Sequence, residues 1–287
     1  MPDIQVTAQT NKAYPALLSK ISDSPPLLYI NGSLPGKDEK LFAVVGTRKP
    51  TAYGKEAAMY LTRELCRAGF SIVSGMALGI DGIAHETALL EGARTYAVLG
   101  CGVDVVYPQE HKALSERIAR QGAIISEYEP GTQPLPYRFP QRNRIIAGMT
   151  LGTLVIEAKE RSGALITGRL ALEYNREVFA VPGSIFSATS KGPHALIKEG
   201  AKLTETINDI LGEFGFEAEG LRTRLSANIS AEEQRILAIL EGESRHLDAI
   251  VGETGLSAAQ VHGAITMLEI KDAIQHLGGN IYGLRRN

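Results

Sequence analysis

The strongest constraint on the fold is a repeated alternation of short apolar runs and longer helical patterns across residues 41–211. Each run is apolar and often β-branched, as is typical of strands that are buried on both faces. The alternation with helices indicates right-handed βαβ crossovers, so we predict an α/β fold with a doubly wound, mostly parallel sheet. The predicted strands are Leu41–Val45, Ser71–Ser74, Arg94–Leu99, Ala123–Ser126, Thr153–Ala158 and Val178–Val181, with a weaker one at Lys202–Thr204.

Helical patterns separate the predicted strands, at Tyr53–Gly69, Gly82–Gly92, Glu110–Gln121 and Ala164–Arg176. Glycine stands just past several of these helices, where a left-handed cap is favoured. We assign residues 41–211 to this main domain. Residues 1–40 are predicted to form an N-terminal extension, with a helix at Tyr14–Ile21 and a short strand at Leu27–Ile30 that could join an edge of the main sheet.

A change of pattern near Ile210 marks the end of the main domain. Residues 212–228 begin with a glycine- and glutamate-rich stretch and are predicted to form a linker. Three helical patterns and a two-stranded hairpin follow in residues 229–287, and this order predicts a small winged-helix domain. The predicted elements are Ala231–Glu241, His246–Thr254, Ser257–Lys271, Ala273–Leu277 and Ile281–Leu284.

The composition excludes several classes of protein. Of the 287 residues, 44% are hydrophobic and 22% are charged, as in ordinary globular domains. No run is long and apolar enough to span a bilayer, and the N-terminus does not have the pattern of a signal peptide. Cys66 and Cys101 lie in apolar surroundings and the six histidines lack ligand spacing, so we expect a reduced cytoplasmic protein without a metal or cofactor. Because the net charge is only −2, nucleic-acid binding would require a local basic patch.

The turns that end the predicted strands carry residues suited to binding phosphate. In a parallel sheet, ligands bind outside the carboxyl ends of the strands, where helix N-termini also point. The first strand ends in Gly46, Thr47 and Arg48, where glycine permits close approach of a ligand and arginine offers a fork of donors. The second strand ends in a glycine-rich loop, with Gly75 and Gly79, that enters a helix.

The segment Phe139–Gly148 and the turn after the strand at Thr153–Ala158 add an aromatic ring and further cations to the same edge. The candidate binding residues here are Phe139, Arg142, Asn143, Arg144, Lys159, Ser162 and Gly163, with Arg161 nearby. Several cations that converge beside an aromatic face and a helix N-terminus suit a phosphate-bearing ligand with bases.

Each of these features also has a structural interpretation. The arginines can be solvated, with Glu157 paired to one of them, and Arg48 can lie in an ordinary turn. Asp81 is expected to cap the helix that follows it, although an acid–base pair with His85 stays open. No serine or cysteine nucleophile is placed beside that pair, so no catalytic residue is assigned.

In order along the chain, these motifs resemble those of the DNA-processing protein A family (DprA, also called Smf). The resemblance runs from about residue 14 to residue 211 and rests on Gly46–Arg48, Ser74–Asp81, Phe139–Gly148, Glu157–Gly163 and Pro182–Ser184. It implies an extended Rossmann-like domain that binds single-stranded DNA and acts as a homodimer. It also implies that the protein protects incoming DNA and brings the RecA recombinase to it in natural transformation, without catalysing a reaction.

By the same resemblance, Arg48 and Lys159 are the DNA-contacting cations, and Phe139 with the following Arg-Asn-Arg group belongs to the DNA groove. The winged helix resembles the third domain of some members. Many members begin with a sterile-alpha-motif-like domain, for which the residues before Leu41 are too few. What that domain contributes is therefore not expected from this chain.

Two other functions remain open from the sequence. A Rossmann-like nucleotide hydrolase of the phosphoribohydrolase type shares the sheet layout, but its Pro-Gly-Gly-x-Gly-Thr loop does not occur in the sequence. In a transcription factor, the winged helix would read duplex DNA, but residues 226–287 contain five basic and eight acidic residues. That net negative charge disfavours contact with a phosphate backbone. We therefore expect the winged-helix domain to be a protein-contact or regulatory module and not the main DNA reader.

Overall fold

The computed structural model describes residues 4–215, 230–240, 243–270 and 273–284. The chain divides into two compact units, Met1–Glu217 and Ala218–Asn287. Residues 1–40 thus belong to the same unit as the main sheet. Most of the predicted linker, from residue 216 onward, lies outside the described residues, whereas its first residues belong to a helix.

The first unit is built on one nine-stranded sheet. Its strands are β1 (Ile4–Ala8), β2 (Leu27–Gly32), β3 (Leu41–Val45), β4 (Ser71–Ser74), β5 (Thr95–Val98), β6 (Ala123–Ser126), β7 (Gly152–Val155), β8 (Glu177–Ala180) and β9 (Lys202–Leu203). They lie in the order β1-β2-β6-β5-β4-β3-β7-β8-β9. Strands β3 to β9 are parallel, whereas β1 and β2 are antiparallel to their neighbours. The predicted doubly wound, mostly parallel sheet is confirmed.

Helices cover both faces of this sheet. They are α1 (Ala52–Arg67), α2 (Ile80–Leu90), α3 (Lys112–Gln121), α4 (Arg138–Gly148), α5 (Gly163–Glu173), α6 (Lys191–Lys198) and α7 (Ile207–Glu213). Helices α4, α5 and α6 share one apolar core with the sheet, whereas α2 and α3 pack into another. Helix α1 packs beside α2.

The central strands are apolar because both of their faces are covered. Every residue of β3 to β7 is buried. Phe42 in β3 is fully buried, and its ring centroid lies 5.4 Å from that of Phe70 and 5.5 Å from that of Phe179. Truncating a phenylalanine in such a core costs about 3–5 kcal/mol. This packing fixes the strand ends from which the functional turns extend.

The order of the strands creates a switch point between β3 and β7. From β3 the chain adds β4, β5 and β6 on one side, and it then crosses through α4 to β7 on the other side. The loops after β3 and β7 therefore lead to helices on opposite faces of the sheet. At the carboxyl edge, such a divergence opens a crevice in which α/β proteins bind ligands.

The N-terminal extension differs from its prediction in two ways. Strand β2 pairs with β6 as expected, but β1 pairs outside it and forms the edge of the sheet. The predicted helix at Tyr14–Ile21 is wrong, because only Leu18–Lys20 form a short 3-10 helix. A helix this short has little intrinsic stability, so tertiary contacts decide its conformation. Here the buried Tyr14 hydroxyl donates to the Pro25 carbonyl oxygen at 2.7 Å.

The second unit has the predicted winged-helix arrangement. Its elements are α8 (Ala231–Leu240), β10 (Arg245–His246), α9 (Leu247–Thr254), α10 (Ala258–Ile270), β11 (Ile274–His276) and β12 (Ile281–Leu284). Ile236, Ile250 and Val261 bring the three helices into a core of their own. The sheet has three strands in the order β10-β12-β11, and not the two predicted, because the short β10 pairs with β12. The predicted helix ends at Glu241 and Lys271 lie outside the described residues.

Candidate functional site

A cleft of about 460 Å³ opens at the switch point between β3 and β7. We call it the first cleft. Its walls are the loop after β3, the loop after β7, the N-terminus of α5 and one side of α4. The lining residues are Val45, Gly46, Thr47, Arg48, Lys49, Ala77, Asp81, Arg142, Asn143, Ile146, Lys159, Arg161, Ser162, Gly163, Ala164 and Thr167.

The loop after β3 is tied to the loop after β7 by backbone contacts. The Thr47 N–H donates to the Glu157 carbonyl oxygen at 2.6 Å. A Cβ on Gly46 would lie 2.6 Å from Cγ1 of Ile80, so this position requires glycine for packing. The two loops therefore form one rigid base, from which the next residues extend into solvent.

The Glu157 carboxylate anchors this base and is not part of an arginine pair. It is buried, and it accepts hydrogen bonds from the Thr51 N–H at 2.9 Å, from the Thr51 hydroxyl at 2.8 Å and from the Thr189 hydroxyl at 2.7 Å. The alternative of a Glu157–arginine pair is therefore wrong. Because Thr51 is the N-cap of α1, the carboxylate also lies at the positive end of that helix.

Four exposed cations surround the first cleft. Arg48 and Lys49 extend from the loop after β3, and Lys159 and Arg161 extend from the loop after β7. None of the four forms an ion pair with another described residue. Two of the four, Arg48 and Lys159, are predicted binding residues, and both side chains are exposed. Lys49 and Arg161 were not among the predicted binding residues, although both share a turn with one that was.

Arg142 contributes to the floor of the cleft and not to its exposed cations. It is 5% exposed, and its Nη1 donates to the carbonyl oxygen of Gly75 at 2.7 Å and to that of Val98. Burial lowers the pKa of its guanidinium to about 10, while Asp81 opposes the shift. The prediction of an accessible cation at this position is wrong, because the side chain holds the ends of β4 and β5 together.

Asp81 binds the glycine-rich loop and is not the N-cap of α2, which is Gly79. It lies within the first turn of α2, and its Oδ2 accepts from the N–H groups of Gly75 at 3.2 Å and Ala77 at 3.3 Å. Burial raises the pKa of this carboxyl, whereas the nearby Arg142 acts to lower it. Through these two bonds Asp81 fixes the loop that ends β4.

Arg144 lies outside the first cleft. Its guanidinium pairs with Glu127 at 2.6 Å and with Asp23 at 3.5 Å. Asp23 precedes β2 and Glu127 follows β6, so this cation joins α4 to the antiparallel side of the sheet. The prediction that Arg144 converges with the cations of the cleft is wrong.

The N-terminus of α5 faces the first cleft. Ser162 is its N-cap, with Oγ accepting from the Ala164 N–H at 3.3 Å. The Asn143 amide donates to the Gly163 carbonyl oxygen at 3.1 Å and thus fixes α4 against this helix start. The partial positive charge of a helix N-terminus adds to that of the four cations.

Phe139 forms an aromatic rim beside the cations. Its ring is half-buried, and its centroid lies 5.3 Å from that of Tyr107 and 5.9 Å from the guanidinium carbon of Arg48. The ring packs over Gly100, where a Cβ would approach it to 3.2 Å. Tyr107 was not among the predicted binding residues, although its position in the loop after the parallel strand β5 could have indicated that it lies at the same edge of the sheet.

Gly75 and Gly79 both stand where the fold requires glycine. The Arg142 guanidinium occupies the space in which a Gly75 Cβ would lie. Gly79 has a φ of +85°, and a Cβ there would lie 2.7 Å from the Arg48 carbonyl carbon. Neither residue lines the first cleft, although Gly79 lines a second cleft on the other side of the loop after β3.

The possible acid–base pair of Asp81 and His85 is not formed. His85 is fully buried, and its Nδ1 lies 2.7 Å from the Thr95 hydroxyl. That hydroxyl donates to the Ile72 carbonyl oxygen at 3.0 Å, so the imidazole Nδ1–H is the donor to Thr95. Burial lowers the pKa of His85 to about 3, so the ring is neutral.

In the described part of the chain, no three side chains of histidine, cysteine, aspartate or glutamate come close enough to hold a metal ion. Within the same residues, no helix has both the length and the apolarity that crossing a bilayer requires.

Both units match known protein families. The family model described as DNA recombination-mediator protein A matches residues 5–215, and the DprA winged helix domain matches residues 222–280. The chain is 45% identical over 206 residues to the DNA processing protein DprA of Bacillus subtilis (strain 168), with 71% of this chain and 69% of that protein covered. It is 35% identical over 294 residues to Protein Smf of Escherichia coli (strain K12), with 99% and 79% covered.

Solved structures agree with these matches. DNA processing protein A from Streptococcus pneumoniae superimposes with a TM-score of 0.70 at 44% identity and covers 74% of either chain. DNA processing protein A from Helicobacter pylori has a TM-score of 0.64 at 33% identity, with 75% of this chain and 98% of that chain covered. The structure of that relative is reported to give insights into a single-stranded DNA binding mode. The chain therefore belongs to the DNA processing protein A (DprA/Smf) family.

Proposed function

We propose that the first cleft binds single-stranded DNA. The observation that carries this proposal is the ring of four exposed cations around the N-terminus of α5, which have no ion-pair partner among the described residues, in a chain whose net charge is only −2. Such an arrangement concentrates positive potential in one groove, so that a polyanion binds there and not over the whole surface. The single-stranded DNA binding mode described for the Helicobacter pylori relative supports the same ligand.

The aromatic rim favours a single strand over a duplex. Phe139 and Tyr107 offer ring faces to which an unpaired base can stack, at roughly 1–3 kcal/mol for each base. In a duplex the bases are already stacked and paired, so only the phosphates would contact the cleft. Binding by phosphates and ring faces also predicts little preference for base sequence.

Fluorescence anisotropy with labelled oligonucleotides tests this proposal. A label is required because the chain contains no tryptophan. A single strand should bind more tightly than a duplex of the same sequence, with an affinity that falls steeply as salt is raised. Equal binding of both forms, or single-strand binding that ignores salt, would contradict the proposal.

We further propose, from membership of the family, that the protein protects incoming DNA in the cytoplasm and loads the RecA recombinase on it as a homodimer. Helix α5 and strand β9 expose Ile166, Leu172 and Leu203 to solvent, which supplies apolar area for a protein contact. Light scattering across a concentration series tests the dimer. RecA filament formation on coated single strands, with and without this protein, tests the loading.

We propose that the protein acts by binding, without turnover. The two buried carboxylates near the first cleft are engaged: Glu157 accepts from Thr51 and Thr189, and Asp81 accepts from the loop after β4. These contacts give both carboxylates a structural role. They disfavour the alternative of a phosphoribohydrolase-type nucleotide hydrolase.

A further inference from the structure

A second cleft, of about 400 Å³, lies on the other side of the loop that connects β3 to α1. It is bounded by the first turns of α1 and α2 and by His111. The residues that matter for its chemistry are Arg48, Lys49, Lys55, Gly82, Glu86 and His111. None of the predicted binding motifs accounts for Lys55 or His111.

The second cleft is predominantly cationic. Arg48, Lys49 and Lys55 are all exposed, and Glu86 is the one acidic residue in its lining. Within the described part of the chain, Lys55 has no ion-pair partner. Three such cations against one carboxylate fit an anionic ligand.

Side chains, and not the start of α2, provide the binding groups. The Ile80 N–H already donates to the Thr47 carbonyl oxygen at 3.2 Å, and the Gly82 N–H donates to that of Ala77 at 3.1 Å. The His111 ring packs over Gly82, where a Cβ would come within 2.7 Å of Cε1, and its Nδ1 lies 2.9 Å from the Met76 carbonyl oxygen. These contacts form a fixed floor below the three cations.

The two clefts share one wall. Arg48 and Lys49 line both, so they form a cationic ridge between them. The ridge is held at its C-terminal end by the bonds from Thr51 to Glu157 and at its N-terminal end by the bond from Thr47 to the Glu157 backbone. A phosphate chain that contacts Arg48 from the first cleft therefore meets further cations as soon as it crosses the ridge.

We propose that the second cleft binds the phosphates of the same DNA strand beyond the segment held in the first cleft. This inference rests on the proposed single-strand binding. The strand crosses the Arg48–Lys49 ridge, and Lys55 neutralises a phosphate on the far side. Because the lining offers cations but no ring that is free to stack a base, this part of the strand is held by its backbone.

Strand length separates the two clefts experimentally. We would measure the binding of a strand of about 4 nucleotides and one of about 16, the range of single-domain site sizes, to Lys55→Ala and Lys55→Glu. The short strand should bind as it does to wild type. The long strand should bind Lys55→Ala about fivefold more weakly at about 0.1 M salt, with a log–log salt slope that is smaller by about 0.7, because one phosphate contact is lost. Lys55→Glu should bind the long strand more weakly than Lys55→Ala does, because it also introduces a negative charge.

Lys37→Ala is the matched control, since Lys37 is an exposed lysine in the turn before β3, at the opposite edge of the sheet. If both Lys55 variants bind the long strand as tightly as wild type does, the inference is wrong although single-strand binding stands. Equal losses for both lengths would place Lys55 in the first cleft and also overturn it. A free mononucleotide that binds in a Lys55-dependent way, with no effect of strand length, would contradict a continuous path. If the wild type binds neither strand, the proposed function itself fails.

Discussion

Replacing Lys159 by alanine should weaken single-strand binding by an amount that depends on salt. If the four exposed cations of the first cleft each neutralise one phosphate, log K falls with log salt at a slope of about −2.8, since a single strand contributes about 0.7 per contact. Without Lys159 the slope becomes about −2.1. At about 0.1 M salt the lost contact lowers the affinity about fivefold, which equals about 1 kcal/mol.

The assay is the anisotropy of a labelled oligothymidylate of about 4 nucleotides, which occupies the first cleft only, titrated at several salt concentrations between about 0.05 and 0.2 M. Urea unfolding of the same variant should match wild type, because the Lys159 side chain is exposed and has no described ion-pair partner. Lys37→Ala removes an equal charge from the opposite edge of the sheet and should leave the slope unchanged. An unchanged slope in Lys159→Ala, or an equal loss in Lys37→Ala, would refute a local contact in the first cleft.

Four further outcomes are expected. Phe139→Ala should weaken binding while leaving the salt slope nearly unchanged, because stacking releases no counterions; unfolding of this variant would instead make the ring a core residue. Arg142→Ala should lower the free energy of unfolding by about 1–3 kcal/mol in urea titrations, because it leaves the buried carbonyl oxygens of Gly75 and Val98 without their donor; a variant as stable as wild type would contradict the structural role. Glu157→Gln should cost about 1–3 kcal/mol of stability, since the new amide faces donors, and nucleotide hydrolysis should be absent before and after the change. Deleting the residues after Gly220 should keep most single-strand affinity, and tight duplex binding by the deleted segment would show that the winged helix reads DNA.

The sheet could be predicted from the sequence because burial on both faces leaves a clear pattern. Strands β3 to β8 are short, largely apolar and buried, and the predicted positions differ from the observed ones only at their ends. Strand β1 could not be found in this way, since three of its five residues are polar or exposed and it has no continuous apolar run. Strand β1 lies at the edge of the sheet because it pairs with β2, and not because its own residues favour a strand.

The candidate site could be predicted only in part, because charge does not reveal the direction of a side chain. Arg48 and Lys159 follow strands at the carboxyl edge, so their exposure could be inferred. Arg142 precedes Ile145, Ile146 and Met149 by three, four and seven positions, which places it on the buried stripe of α4. That spacing could have shown that Arg142 is internal. The partners of Arg144, in contrast, come from distant segments that only the folded chain brings together.

A crystal structure of the protein with a short oligothymidylate would test the central claim most directly. We expect phosphate oxygens within hydrogen-bond distance of Arg48 and Lys159, at the N-terminus of α5, and a base stacked at the rim formed by Phe139 and Tyr107. Arg142 and Arg144 should keep their present partners. A strand held elsewhere on the chain, with the first cleft empty, would contradict the account.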